Sequence, residues 1–178
     1  MGQDKSLLPF GNYPSLAQFQ YERLTQLFSD VYISAKNRDK FDFNPRVIED
    51  PLQSDFAPTA GFVGAFEHLE CERIFVLGVD TPFVDKPIIQ ILLEADATHY
   101  DAVIPRTSSG THPMAGIYHR SLLGTLKRML NEGDHRLEKL LSSAKTHYVQ
   151  FPNEAPFSNL NYLNEYEEAV SRYNDTNK

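Results

Sequence analysis

The sequence predicts a three-layer α/β domain with a mostly parallel sheet. Two observations predict it. Short β-rich runs alternate with longer stretches of helical periodicity, the rhythm of repeated β-α units. One run, Ile74-Phe75-Val76-Leu77-Gly78-Val79, is apolar almost throughout. A strand covered on both faces at the centre of a parallel sheet has that character. The length of 178 residues favours one domain, 1–178, with a polar tail at 174–178.

The remaining strands are expected at Val31-Tyr32-Ile33-Ser34, Arg46-Val47-Ile48-Glu49, Ala102-Val103-Ile104, Ala115-Gly116-Ile117-Tyr118 and Tyr148-Val149-Gln150-Phe151. Helices fit between them. Over 15–28, Ala17, Tyr21, Leu24 and Phe28 fall on one stripe at helical spacing. Stretches 62–69, 87–95, 121–131, 136–142 and 165–173 read similarly. The looser stretch 151–164, with Pro152, Pro156 and several Asn, is expected to wrap the surface.

Lys plus Arg number 17 and Asp plus Glu 24, a net charge of −7 with His neutral. That balance argues against a non-specific nucleic-acid coat or an anionic membrane surface, both of which need a basic excess. Hydrophobic residues at 41% supply a packed core, so disorder is not expected. The single cysteine, Cys71, excludes a disulfide framework and a Cys-rich zinc site within the chain. Its neighbours Glu70 and Glu72 make a setting unsuited to a nucleophilic thiolate. No apolar run approaches the ~18–20 residues of a membrane span. No charged-then-apolar leader opens the chain, so the cytoplasm is the expected address.

The sharpest local feature is Gly78-Val79-Asp80-Thr81-Pro82, where an apolar strand ends at a carboxylate and Pro82 forces a turn. Ligands of open α/β sheets bind beyond the carboxyl ends of the strands. An acid there suits Mg²⁺ on a phosphate substrate, since Mg²⁺ takes one or two protein carboxylates and completes its octahedron with water and phosphate oxygens. A helix N-cap or turn Asp is the plainer alternative. Met1-Gly2-Gln3-Asp4-Lys5 is a short polar loop whose Lys5 can act as a point charge on phosphates; composition alone favours a frayed terminus. Asp50, at a second strand end, can accept from a base or ribose, or simply start a turn before Pro51. Pro58-Thr59-Ala60-Gly61 reads as a turn into a helix whose amides could face an anion, or as plain close packing.

The six histidines form no HxxxH or HxH pair, which argues against zinc. His112 lies on a Gly-containing connection that could overhang a site, although a surface loop is the commoner case. Arg136 follows Gly133-Asp134-His135, where Asp134 is a good N-cap and Arg136 could clamp a phosphate. Asn159 and Asn161 alternate, so in an extended segment both amides face one side and can read a heterocycle's edge or satisfy loop backbone. The run Glu165 to Glu168 reads as a solvated helix face.

In this order, Met-Gly-Gln-Asp-Lys at 1–5, Val47-Ile48-Glu49-Asp50, Pro58-Thr59-Ala60-Gly61, Gly78-Val79-Asp80-Thr81-Pro82, Thr111-His112-Pro113, Gly133-Asp134-His135-Arg136 and Asn159-Leu160-Asn161 resemble the molybdenum cofactor guanylyltransferases over nearly the whole chain. The resemblance implies a nucleotide-diphospho-sugar transferase-like fold. It implies transfer of GMP from GTP to the terminal phosphate of molybdopterin, with Mg²⁺ and with pyrophosphate leaving. By motif, Lys5 would contact GTP phosphates, Asp50 the guanosine part, and Asp80 both GTP and Mg²⁺. Ser34 matches a nucleotide-contacting position that is often Asn. His112, Arg136, Asn159 and Asn161 would lie on the molybdopterin side. After Asn161, Tyr162-Leu163 stands where the family often has Thr-Pro, so the last helix is expected to start differently.

In the family a first strand and a Gly-rich turn precede the Met-Gly-x-Asp-Lys motif and surround the nucleotide with backbone amides. Here the chain begins at the motif's own Met. The expectation is an N-terminally incomplete domain, short by roughly 10–15 residues, through a mis-assigned start or a truncation. Alternative readings are another nucleotidyltransferase of the same fold, such as a cytidylyltransferase, and a non-catalytic module that holds the pterin cofactor for an apo-enzyme. Further partners would be other cofactor-biosynthesis proteins or apo-molybdoenzymes.

Overall fold

A computed structural model describes residues 4–49 and 58–176. Among these residues seven strands and six α-helices follow one another, with short 3-10 turns between some of them: α1 (Leu16–Thr25), β1 (Ile33–Ala35), β2 (Val47–Glu49), α2 (Pro58–His68), β3 (Arg73–Leu77), α3 (Lys86–Glu94), β4 (Ala102–Thr107), β5 (Gly110–Thr111), β6 (Ala115–His119), α4 (Leu123–Asn131), α5 (Leu137–Ser143), β7 (Thr146–Gln150) and α6 (Leu163–Thr176). The α/β architecture is the expected one.

The strands form two groups. β1 and β2 pair in parallel, Ile33 opposite Val47. In the larger sheet the order is β3-β6-β4-β5, with β7 added beside β4. β7 runs parallel to β4, and β6 runs antiparallel to both β3 and β4. β3, β4 and β7 therefore share one direction, and β6 is reversed between the first two. β3 pairs on one edge only among the described strands, and all five of its residues are half-buried. The expected central, fully covered strand is thus displaced to β4, whose Ala102, Val103 and Ile104 are fully buried.

Period-two alternation divides the core between the sheet's faces. Ala102, Ile104 and Tyr118 face Phe62, Phe66, Leu126, Leu137 and Leu140 of α2, α4 and α5. Val103, Ala115 and Ile117 face Ile89 and Leu92 of α3 together with Val84 and Phe157. This gives three layers. A third cluster joins α1 to α6 through Phe10, Leu16, Phe19, Leu160 and Ala169.

Several boundaries differ from expectation for local reasons. α2 begins at Pro58, because proline is tolerated in a helix's first turn; Pro58-Thr59-Ala60-Gly61 is that turn and not a loop before it. The chain at 152–162 does more than wrap the surface, since Phe157 and Leu160 plug two core clusters. Glu165 is not simply solvated: its carboxylate accepts from the Asn161 and Tyr162 amides at 2.6 and 2.9 Å, capping α6. α6 continues to Thr176, into the stretch expected as a tail.

Candidate active site

β3 ends at Leu77, and the chain turns immediately. The Gly78 amide donates to the Met114 carbonyl at 2.6 Å, and the Thr81 hydroxyl donates back to the Gly78 carbonyl at 2.8 Å. The turn lifts Asp80 beyond the strand's carboxyl end. Asp80 is not the cap of the next helix, because the Asp85 side chain does that, accepting from the Ile88 amide at 3.2 Å. Lys5 Nζ stands 3.8 Å from Asp80 Oδ2 and donates to Asn161 Oδ1 at 3.0 Å. The Leu160 amide donates to the Asp80 carbonyl at 3.0 Å, which holds segment 159–161 alongside the turn.

The presentation of Lys5 is built by its neighbour. Asp4 accepts from the Ser6 amide at 3.0 Å and the Ser6 hydroxyl at 2.7 Å, starting a single 3-10 turn at Lys5. The Lys40 ammonium closes on the other Asp4 oxygen at 2.9 Å. Burial pushes the Asp4 carboxyl up, but the Ser6 and Lys40 hydrogen bonds outweigh it and hold it below its ordinary value. Lys5 therefore leaves from a fixed turn, not a frayed end.

Beneath the Asp80 turn lies an arrangement the sequence reading missed. Gln20 is buried, and its Nε2 lies 3.3, 3.5 and 3.2 Å from the carbonyl oxygens of Gly78, Val79 and Thr81. Three acceptors fix the amide's orientation, since only NH₂ can face them. Its Oε1 accepts from Arg23 Nη2, and Arg23 Nη1 donates to the Pro82 carbonyl at 2.8 Å. Burial lowers the Arg23 pKa to about 10, so the guanidinium stays charged at neutrality. Leu16, Gln20 and Arg23 share one face of α1, so a polar pair amid an apolar stripe was the available signal.

Beside the turn is a hollow of about 100 Å³ lined by Thr81, Thr111, His112, Met114, Phe157 and Asn159. His112 stacks on Phe157 with centroids 4.6 Å apart and bonds through Nε2 to the Thr107 hydroxyl at 2.9 Å. Burial lowers its pKa, and Glu154 opposes that shift. The buried Tyr118 hydroxyl donates to the Pro113 carbonyl at 2.7 Å and fixes the turn carrying His112. So Lys5, Asp80 and Asn161 meet, with His112 and Asn159 on the adjoining hollow. Arg136 is engaged elsewhere, forked onto Asp134 at 2.9 and 2.7 Å. Asp134 is not the expected N-cap of α5, which caps at Arg136 without a side-chain bond; its carboxylate accepts instead from the Arg136 amide at 3.2 Å and from Lys139 at 2.8 Å. Ser34 is exposed on β1, opposite Ile48. Asp50 lies outside the described residues.

The donor set at Asp80 fits a divalent cation of the Mg²⁺ type. Among the described residues no group of three or more His, Cys, Asp or Glu forms a cage. Mg²⁺ needs no cage when phosphate oxygens and water complete its shell. Gly78 keeps the space open: a Cβ there would stand 2.9 Å from Asp80 Oδ1.

A family model described as MobA-like NTP transferase domain matches residues 1–149. The chain belongs to that family. It is a nucleotidyltransferase. Among its family relatives, a molybdenum cofactor guanylyltransferase from Campylobacter jejuni subsp. doylei is 37% identical over 172 residues, 96% of this chain and 89% of the relative. A protein of the same name from Helicobacter pylori strain J99 is 34% identical over 167 residues, 94% of this chain and 78% of the relative. In fold, the chain resembles molybdopterin-guanine dinucleotide biosynthesis protein A from Archaeoglobus fulgidus, with a TM-score of 0.79 at 17% identity, covering 98% of this chain and 92% of that one. It also resembles 2-C-methyl-D-erythritol 4-phosphate cytidylyltransferase from Thermus thermophilus, with a TM-score of 0.72 at 14% identity, covering 95% and 93%. Both family relatives named here carry the same activity in their names, and the family's nucleotidyl chemistry gives the Lys5–Asp80 cluster its context.

Proposed function

We propose that this chain transfers GMP from GTP to the terminal phosphate of molybdopterin, in the cytoplasm and with Mg²⁺. The observation that carries the reading is the convergence of Lys5, Asp80 and Asn161 at one point beyond β3. The names of the Campylobacter and Helicobacter relatives support the choice of nucleotide and acceptor.

The reaction is a substitution at the α-phosphorus of GTP. An oxygen of the acceptor phosphate forms the new P–O bond, the α–β bridge breaks, and pyrophosphate leaves with the electron pair. A phosphate monoester's second pKa is about 6, so the nucleophile is already ionised near neutrality. No general base is required, and catalysis rests on positioning and charge neutralisation. Asp80 would hold the divalent cation, which when bound offsets charge on the triphosphate oxygens. Lys5 supplies a fixed positive charge toward the leaving group. Asn161 keeps the Lys5 ammonium aimed at the site, and the Gln20–Arg23 pair holds the turn that carries Asp80.

The test is pyrophosphate release with GTP and molybdopterin, with and without Mg²⁺, and with CTP in place of GTP. Asp80→Asn is expected to abolish nearly all turnover. A wild-type rate for that variant overturns the metal assignment, and a preference for CTP overturns the choice of base.

A further inference from the structure

A lysine ammonium on its four-carbon stem takes its direction from an acceptor. For Lys5 that acceptor is Asn161 Oδ1, and Asn161 is itself exposed, so packing does not hold it. Before it, Leu160 is anchored by a buried side chain and by its amide on the Asp80 carbonyl at 3.0 Å. After it, Tyr162 and Leu163 are 66% and 54% exposed, so their side chains anchor it little. The hold on that side comes from one carboxylate oxygen. Glu165 Oε2 accepts from the Asn161 amide at 2.6 Å and from the Tyr162 amide at 2.9 Å. The first helical bond of α6 runs from the Tyr166 amide to the Tyr162 carbonyl at 3.2 Å, which puts Tyr162 at the cap position. A phenol is not among the side chains that cap a helix. Only the acidic half of a capping box is present, and it reaches one residue further back than a cap requires, onto Asn161. α6 gives this carboxylate a firm base. Tyr166, Ala169, Val170 and Tyr173 pack with Phe10, Leu16 and Phe19, and the Tyr166 hydroxyl donates to the Pro9 carbonyl. The helix that carries Glu165 is thus docked on the segment that carries Lys5.

We propose that Glu165 is a positioning residue for the Lys5 ammonium, acting through Asn161. The proposal rests on the reading above, in which Lys5 faces the leaving group. Glu165 acts on the ammonium only through the Asn161 amide. A carboxylate bond to a backbone N–H is charge-assisted and short, and it fixes where the amide can sit. When the carboxylate is removed, residues 161–162 are free to turn about the Leu160 anchor, and Asn161 Oδ1 leaves Lys5. The nearest charge is then Asp80 Oδ2, already 3.8 Å from Nζ. The ammonium closes onto that carboxylate, and the gap open to phosphate oxygens is lost.

The test has two readouts, one of them independent of turnover. The intact protein is labelled with trace acetic anhydride, and acetylation of Lys5 is followed by mass spectrometry against Lys127 as internal reference. Lys5 labelling is expected to fall about threefold in Glu165→Ala, because an amine closed onto a carboxylate is less available. Glu165→Gln keeps a side-chain oxygen that can accept, and is expected to stay near wild type in both readouts. The second readout is a double-mutant cycle on nucleotidyl transfer. Glu165→Ala should lower kcat about tenfold while the Lys5 amine is present, and less than about twofold in the Lys5→Met background. Wild-type Lys5 labelling in Glu165→Ala overturns the proposal. So does an equal loss of kcat with and without the Lys5 amine, which makes Glu165 a helix cap alone. Failure of the wild type to use GTP counts against the proposed reaction only, because the labelling still judges the contact.

Discussion

The Lys5 ammonium stands 3.8 Å from an Asp80 carboxylate oxygen, while its hydrogen bond goes to Asn161 Oδ1 at 3.0 Å. The longer distance is an ion pair without a hydrogen bond. Three separate chain segments hold the two charges close but not closed onto each other. Phosphate oxygens can therefore engage the cation, and a divalent ion the carboxylate, without first breaking a tight pair.

Removing the Lys5 charge should affect rate far more than stability. The pair is partly exposed, and such pairs contribute about 0–1 kcal/mol. Lys5→Met is expected to shift the denaturation midpoint little. It should lower kcat/KM for the nucleotide by about 10²–10³, the usual cost of deleting one fixed group that stabilises transition-state charge. Lys5→Arg should not restore the rate, because a planar fork can bond Asp80 directly and close the gap. Steady-state kinetics beside urea unfolding checks both; a wild-type rate in either variant removes Lys5 from the chemistry.

Gly78 offers a way to move Asp80 without touching its charge. A Cβ at Gly78 would stand 2.9 Å from Asp80 Oδ1, whereas Met114 Cβ and Thr81 Oγ1 are 3.5 and 3.6 Å away. Only the carboxylate has to shift. Gly78 is not among the positive-φ glycines, so alanine fits its backbone. Gly78→Ala is therefore expected to change stability by less than about 1 kcal/mol while raising the Mg²⁺ concentration needed for half-maximal rate at least tenfold. A Mg²⁺ titration of initial rates decides it.

Strands and helices were legible because burial on two faces leaves a period in the apolar residues. Ala102-Val103-Ile104 and the heptad-like spacing around Leu126 and Met129 carry that signal. That β3 pairs on one edge only among the described strands was not legible: Ile74, Phe75 and Val76 are as apolar as a central strand, and composition does not say which edges find partners. At the site, the Asp80 turn could be read from its strand end and proline. Lys5 could not be read from composition, since a short polar terminus looks frayed until Asp4 is seen to cap it. Gln20 and Arg23 escaped for the opposite reason. A search for apolar spacing passes over polar residues on the buried face, and their partners are main-chain carbonyls with no sequence signature.

Gln20 is expected to act through Asp80. Gln20→Leu keeps the volume but withdraws the donor from a cluster of carbonyls, and an unsatisfied buried polar group costs about 1–3 kcal/mol. Urea unfolding should report a loss of that size. If the amide only stabilised the fold, Mg²⁺ dependence would be unaltered in the folded fraction. We expect instead that the half-saturating Mg²⁺ concentration rises and kcat falls, because the carbonyls that Gln20 holds belong to the turn that carries Asp80.

His112 gives the chain a pH-dependent term whose sign is fixed by burial. Its folded-state pKa lies below the ordinary 6.5, with Glu154 only partly offsetting the desolvation. Between the folded and unfolded values the unfolded chain binds more protons, so stability there rises with pH. The contribution is complete above about 6.5 and is lost as pH falls from there through the lowered folded pKa. His112→Phe retains a ring against Phe157 but cannot be protonated. Thermal unfolding of both proteins from about pH 7.5 to pH 5 should show the wild type losing Tm below 6.5 faster than the variant does. Parallel curves would mean that His112 is solvated enough to protonate without penalty, and that its stack on Phe157 does not bury it as the geometry indicates.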